Sequence, residues 1–568
     1  MEVPIWTLVL LFALSGVLGE CPDKCKCREN KIICDGVSIT EFPASVPDST
    51  ATIFISKTNI TGLKSDDVAG FAEALGVFLV KDTPIRQVLP GTFDLTLNLG
   101  VLGFTGTDLN DLPDALFEKL LKLETLNLSN NKLLLLRSAW FSSVAALKNL
   151  DLGRNLIMSV PEEAFHFVPK IEYLTLARNN ISRLSRETFR GLSKLKSLRL
   201  NRNSLRQIPD RMLDGLVSLQ ELSLQDNGLT YLPDNLFSQT QGLQKLFLSN
   251  NRLTSLPQGI LLQLPNLTQI SLYENRLQSL SPGVFGPMAL TELWLYDNQL
   301  TRLEDHTFSN LTQLRLLVLS RNQISFVSPH AFSGLVELGE VSLHTNLLTS
   351  LQEGTFQRLP KLLNISLEHN SIGSLPDRLL QGQTLLGQLD LHNNSLRSLP
   401  SELLKALTGT KEVLLSDNPW RCDRDIVPLR DWLTLHPTKT NHSSVVCLTP
   451  SVLSGEKIAD LMDDNLQPSS MTAVPNVAST EETRKNPTPP SMWTSPSAEA
   501  TPTQEQGEDS NSGQGNEEVV SRDVNTVIIA VVCTATITTL FLFCVYWRKN
   551  KRGSRSLSNH RNKNNSVI

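Results

Sequence analysis

The chain has 568 residues, is 40% hydrophobic and 19% charged, and carries a formal charge of −5. Its last stretch, after Trp547, holds seven Lys/Arg and no acid, so subtracting that +7 from −5 leaves −12 for the rest. A mildly acidic remainder is no general trap for polyanions and excludes nucleic acid as the expected partner. No phosphate loop, nucleophile elbow or zinc-helix motif occurs, which excludes the common enzyme classes, and neither a cofactor nor a metal is expected.

Residues 1–19 read as a signal peptide: an apolar run from Ile5 to Leu14, interrupted by Thr7, precedes a small-residue cleavage site at Val17-Leu18-Gly19. The n-region has Glu2 and no Lys or Arg, but position and length favour export over a spanning helix. Residues 20–49 form a first cap, with Cys21, Cys25, Cys27 and Cys34 inside fourteen residues. Four such cysteines suit either zinc or disulfides. Export to an oxidising compartment makes disulfides the default.

Residues 50–417 hold about sixteen copies of one motif. The best kept reads L-x-x-L-x-L-x-x-N-x-L, as in Leu123, Leu126, Leu128, Asn131 and Leu133. The Asn recurs through Asn155, Asn179, Asn203, Asn227, Asn251, Asn275, Asn298, Asn322, Asn346, Asn370, Asn394 and Asn418, at intervals of 24 with a single 23. Three earlier copies place Thr58, Thr83 and Thr107 in that slot. A period in this range with this frame is the leucine-rich repeat pattern. Leucines two apart share one face of a short strand, and the residues between them face outward. The Asn amide is expected to satisfy backbone groups of the adjoining turn, and Thr, with shorter reach, predicts less regular early coils. Ten residues past the slot stand Phe117, Phe141, Phe165, Phe189, Phe237, Phe285, Phe308, Phe332 and Phe356. They predict an aromatic spine under the convex side. Helix-sized convex segments would be wider than strands and would bend the stack into a horseshoe.

Residues 418–464 close the array with Asn418-Pro419-Trp420-Arg421-Cys422, a helical stretch around Leu429 to Leu433, and Cys447. Residues 465–523, rich in Pro, Ser, Thr, Glu and Asn, read as an extended stalk. Residues 526–547 are 22 without a charge, enough to span a bilayer. Arg548, Lys549, Lys551 and Arg552 follow, placing the 548–568 tail inside a type I, plasma-membrane topology. The final Ser566-Val567-Ile568 has the polar-x-aliphatic form of a PDZ ligand. Sequons at Asn59, Asn127, Asn180, Asn266, Asn310, Asn364, Asn393 and Asn441 mark N-glycosylation sites. A glycan on Asn127, an outward strand position, would shield part of the early concave face.

Three stretches carry a resemblance: GPMALTELWLYDNQL (Gly286 to Leu300), LSRNQISFVSPHAFSGL (Leu319 to Leu335) and NPWRCDRDIVPLRDWL (Asn418 to Leu433). They resemble the vertebrate leucine-rich repeat ectodomain family, from the front cap through Cys447. The resemblance implies an α/β solenoid with a parallel concave sheet. It also implies front-cap pairing of Cys21 with Cys27 and of Cys25 with Cys34. Cys422 and Cys447 are a two-cysteine version of the back cap. The implied function is cell-surface adhesion to matrix proteins such as collagen, fibronectin or laminin. A signalling co-receptor or a regulatory subunit acting through a partner receptor is the alternative, and the tail of 21 residues, without tyrosine, leaves no room for a signalling domain of its own.

The outward strand positions are mostly small or polar. The exception is Phe247, Tyr273, Trp294 and Tyr296, with Lys245, Glu292 and Asp297 nearby. Exposed aromatics on a rigid sheet are typical interface anchors. The bland reading has these rings packing on one another. His344, Glu368 and His392 share one register in three consecutive coils, about 5 Å apart if strands stack there. That row reads first as a solvated edge, and second as a metal- or pH-sensitive site.

Overall fold

The computed structural model describes residues 21–466, within one compact unit, Met1–Ala473. The signal peptide, the stalk beyond residue 466, the 526–547 span, the basic tail and the Ser566–Ile568 terminus therefore lie outside the described residues. Among the described residues, no helix is long and apolar enough to cross a membrane.

Sixteen parallel strands stack in chain order, from Thr52–Ser56 to Glu412–Leu414. Each is in register with the next, at a 24-residue step except for 25 between Thr52 and Val77 and 23 between Gln269 and Glu292, for example Leu222 opposite Leu246 and Leu246 opposite Ile270. Within the three-residue strands the middle residue is buried and its neighbours face the other side of the sheet, because successive Cβ atoms alternate. Lys245-Leu246-Phe247 shows the pattern, with Leu246 fully covered. A single coil has nothing to bury that leucine against. Its burial, about 1.5–3 kcal/mol per side chain, comes only from neighbouring coils.

Thirteen ladder asparagines clamp coil to coil. Asn155 donates through Nδ2 to Leu128 O at 2.9 Å and Leu152 O at 3.0 Å, and its Oδ1 accepts from Leu133 N–H at 3.1 Å. One amide thus serves backbone groups of two coils that stacking would otherwise bury unpaired. The threonine coils differ from expectation. They hold the longest parallel strands of the repeats, five residues each at Thr52–Ser56, Val77–Lys81 and Val101–Thr105. Thr83 Oγ1 accepts from Thr58 N–H at 3.2 Å, and Asn131 Oδ1 accepts from Thr107 N–H at 3.2 Å. Where the side chain reaches less far, additional strand hydrogen bonds hold the coils in register.

The convex side also differs. It is built of overlapping turns rather than helices: Leu116 N–H bonds Pro113 O, Glu118 N–H bonds Ala115 O, and Leu120 N–H bonds Phe117 O. Those are i→i−3 bonds, which turn the chain in short pieces and do not propagate. Among the described residues, α-helices occur at Ser65–Ala69, Ser401–Ala406 and Val427–Leu435. The phenylalanines beneath these turns are buried and stacked in two runs. Phe141, Phe165 and Phe189 form one, at 6.0 and 6.1 Å between ring centres. Phe285, Phe308, Phe332 and Phe356 form the other, at 5.9, 6.4 and 6.0 Å. Leu213 and Leu261 take the equivalent positions between the runs, so the spine is interrupted around Phe237.

Both ends are closed. Cys25–Arg28 pairs antiparallel with Lys31–Asp35, which in turn pairs parallel with the first repeat strand. Disulfides join Cys21 to Cys27, Cys25 to Cys34, and Cys422 to Cys447. At the far end the helix Val427–Leu435 buries Leu429, Trp432 and Leu433. On the free edge of the last strand, Val413 N–H donates to Lys439 O at 2.8 Å, so the cap covers an edge otherwise open to pairing.

Candidate functional site

The aromatic group sits where the Gln269–Ser271 and Glu292–Trp294 strands lie side by side, with Ser271 opposite Trp294. Tyr273 and Tyr296 stand two residues before their ladder asparagines in adjacent coils. Their rings stack face to face, 4.6 Å between centres and 7° apart. Trp294 meets Tyr296 edge-on at 6.3 Å. On the other side of Tyr296, the Arg321 guanidinium lies 5.6 Å over the ring and is ion-paired to Asp297. Trp294 Nε1 donates to Glu292 at 3.2 Å. Tyr296 is thereby held between a ring and a cation, and all three rings are half-buried before any partner arrives.

Phe247 is apart from this group. It lies in the same row as Trp294 but two strands away, with Ser271 between them, so the step is about 10 Å. Lys245 is exposed on the same strand as Phe247. Arg321 was not visible as a member from the aromatic pattern alone. Its signal is positional, being the residue before ladder Asn322 one coil beyond Tyr296.

The electrostatics are acidic. Burial foremost, with Tyr273, Glu274 and Asp297 adding, pushes the Tyr296 hydroxyl up to about 12. The Glu274 carboxyl is also raised, first by burial and then by Asp297 and Asp226. Rigid rings rimmed by carboxylates fit a partner that brings apolar area together with a cationic group.

The histidine row is engaged locally. His344 Nδ1 is 3.0 Å from Thr345 Oγ1, Glu368 accepts from Ser366 Oγ at 2.6 Å, and His392 Nδ1 is 2.6 Å from Asp390. Among the described residues, no group of three or more His, Cys, Asp or Glu is placed to hold a metal ion. The His344 imidazole is lowered, mainly by burial, with Arg321 and His369 adding and Glu368 opposing. Of the sequon asparagines, Asn59, Asn180, Asn266, Asn310, Asn393 and Asn441 are exposed, whereas Asn127 and Asn364 are half-buried in their strands. Asn127 Oδ1 accepts from Ser129 N–H at 2.9 Å and from Ser129 Oγ at 2.7 Å.

A stacked parallel sheet with closed ends and an outward row of rigid rings defines a solenoid built for protein recognition. The leucine rich repeat family model matches residues 98–157, 121–181, 169–229, 241–300, 288–343 and 336–396. The chain belongs to the leucine-rich repeat family. Nothing in the described residues points to catalysis.

Curated relatives match over short stretches. Leucine-rich repeat-containing protein 52 of Mus musculus is 32% identical over 88 residues, 15% of this chain and 28% of that protein. The platelet glycoprotein Ib beta chain of Homo sapiens is 40% identical over 53 residues, 9% of this chain and 26% of that protein. Leucine-rich repeat-containing protein 15 of Homo sapiens is 46% identical over 43 residues, 7% of each chain. The first two matches span little more than a quarter of each relative's length. Among solved structures, a leucine-rich repeat protein of Leptospira interrogans has TM-score 0.54 and 27% identity, covering 68% of this chain and 95% of that one. Drosophila Toll, solved in complex with Spatzle, has TM-score 0.50 and 20% identity, covering 78% and 72%, and shows the fold alone.

Proposed function

We propose that the chain is a single-pass, glycosylated cell-surface protein that holds an extracellular protein on the concave face of its repeat sheet. Its ligand is a matrix protein such as collagen, fibronectin or laminin, and its contact is cell–matrix adhesion. The supporting observation is the pre-packed Tyr273, Tyr296 and Trp294 group with Arg321 behind it. Rings already immobilised lose little entropy on binding, and each buries a large area, so they anchor an interface at low cost. Phe247 extends the same row as a second, separate contact. The uncharged 526–547 segment anchors the array, the Ser566–Ile568 terminus offers a PDZ ligand, and the exposed sequon asparagines offer glycosylation sites. The two-cysteine back cap, Cys422 and Cys447, supports a kinship with leucine-rich repeat-containing protein 15 or platelet glycoprotein V.

The test is adhesion of cells displaying the full chain, plated on collagen, fibronectin and laminin. Trp294→Ala with Tyr296→Ala is expected to remove adhesion while leaving surface display intact. Deleting residues 548–568 is expected to leave adhesion unchanged. Adhesion that survives the double substitution refutes the aromatic anchor. A soluble-ligand response lost with the tail, in cells that never adhered, identifies a co-receptor instead.

A further inference from the structure

In every repeat, the residue before the ladder position has a positive φ. In three consecutive coils that residue is arginine: Arg154, Arg178 and Arg202, with φ of 56°, 58° and 57°. Their backbone N–H groups bond forward to the next coil, Arg154 to Ala177 O at 2.8 Å, Arg178 to Asn201 O at 2.8 Å and Arg202 to Gln225 O at 3.0 Å. Three guanidinium groups are therefore presented in one column at the strand spacing, about 4.8 Å per coil.

Their charges are unevenly answered. Arg202 pairs with Asp226 at 3.0 Å. Among the described residues, neither Arg154 nor Arg178 has a carboxylate at ion-pair distance. Asp151 lies near enough to feel Arg154, but its Oδ1 is taken by Gly153 N–H at 2.9 Å. Burial, then Arg202 and Arg154 on either side, lower the Arg178 guanidinium. Stacked like charges repel, so an unpaired column is a standing attraction for an anion.

Just beyond the ladder on the Arg154 coil and the coil before it, the surface becomes aliphatic. Leu134 is 46% exposed, Leu156 42% and Met158 53%. Arg154 and Leu156 flank the buried Asn155, and Leu134 and Met158 occupy equivalent places in successive coils.

We propose that Arg154 and Arg178, with the aliphatic surface of Leu134, Leu156 and Met158, form a second docking site that takes an acidic, partly apolar peptide segment of a protein partner. The aliphatic patch decides between this ligand and a sulfated glycan, which would gain nothing from three exposed hydrocarbon side chains. Asp151 and Asp226 beside the column also weigh against a continuous polyanion and favour a segment with few charges. This surface is separate from the aromatic group and does not depend on it.

The experiment uses the full chain displayed on cells, a fluorescent peptide of alternating Glu and Leu, its Gln/Leu counterpart, and labelled heparin. The Glu/Leu peptide is expected to bind saturably, more weakly as salt rises, while the Gln/Leu peptide does not bind. R154E with R178E is expected to reduce peptide affinity at least about tenfold, as reversal of two contact charges does. L156S with M158S also weakens it. Peptide affinity unchanged in R154E/R178E, no binding of the Glu/Leu peptide at all, or arginine-dependent capture of heparin in its place would each overturn the proposal. W294A with Y296A serves as the separating control. Lost matrix adhesion with intact peptide binding is the aromatic site failing alone, and the reverse is this site failing alone.

Discussion

Replacing Asn251 by Ala removes one clamp from the middle of the array. Asn251 is buried and donates to Leu224 O and Leu248 O, both at 3.0 Å, with a weaker contact to Ser249 O at 3.3 Å. Its Oδ1 accepts from Leu229 N–H at 3.1 Å. Alanine leaves three well-bonded backbone groups without a partner. At about 1 kcal/mol net for each, the local cost is about 3 kcal/mol, or roughly 150-fold in the opening equilibrium. A quasi-one-dimensional stack confines that loss to neighbouring coils. Amide hydrogen exchange on the full chain should accelerate across residues 221–255 and stay unchanged near Asn370. Asn251→Thr should recover at most part of the loss: Thr83 Oγ1 also reaches back to a backbone N–H of the preceding coil, but to that of the ladder residue Thr58 itself and not to the one two residues on. Uniform acceleration along all coils, or none in the mutated coil, would refute the clamp as the unit of cohesion.

The remaining predictions follow from single contacts. Phe332, between Phe308 and Phe356, is almost fully covered; Phe332→Ala should cost about 3–5 kcal/mol and lower the melting temperature, whereas Phe332→Leu, as in the leucine coils, should cost far less. Cys422→Ser with Cys447→Ser opens a loop of 25 residues and should lower the stability of the back cap by about 3.5 kcal/mol, seen as faster proteolysis within residues 418–464 and not at the front cap. Tyr296 should ionise near 12 rather than 10, so its contribution to stability is complete below pH 10 and disappears as pH rises through 12. Ultraviolet titration of Tyr296→Phe should lack that late step; an unchanged titration curve contradicts the stacked geometry.

Sequence reading found the repeats because leucine and asparagine recur at a fixed step, and periodicity survives any uncertainty about turns. It placed Tyr273 beside Tyr296 correctly because the single 23-residue interval, between Asn275 and Asn298, falls inside the convex turn and not between strand and ladder. It overstated the convex helices: length alone does not distinguish a helix from chained i→i−3 turns when prolines such as Pro113 and Pro161 open the segment. It expected loose threonine coils, since side-chain reach is written in the sequence and strand length is not. It passed over the arginine column altogether. The buried Leu and Asn carry the repeat frame, and the residue between them and the outward strand stands out only through its backbone.

That left-handed position has a consequence for how this surface can vary. In the sixteen coils it is occupied by Lys57, Asp82, Gly106, a run of Asn, Arg, Asp, Glu and His, and Thr345, and never by a hydrocarbon side chain. Branched hydrocarbons are strained there and polar short chains are tolerated. Mutation along this edge is thus steered toward swapping one sign of charge for another. The molecule can revise which partners it repels or admits, coil by coil, while its interior and its thermal resistance are left as they were.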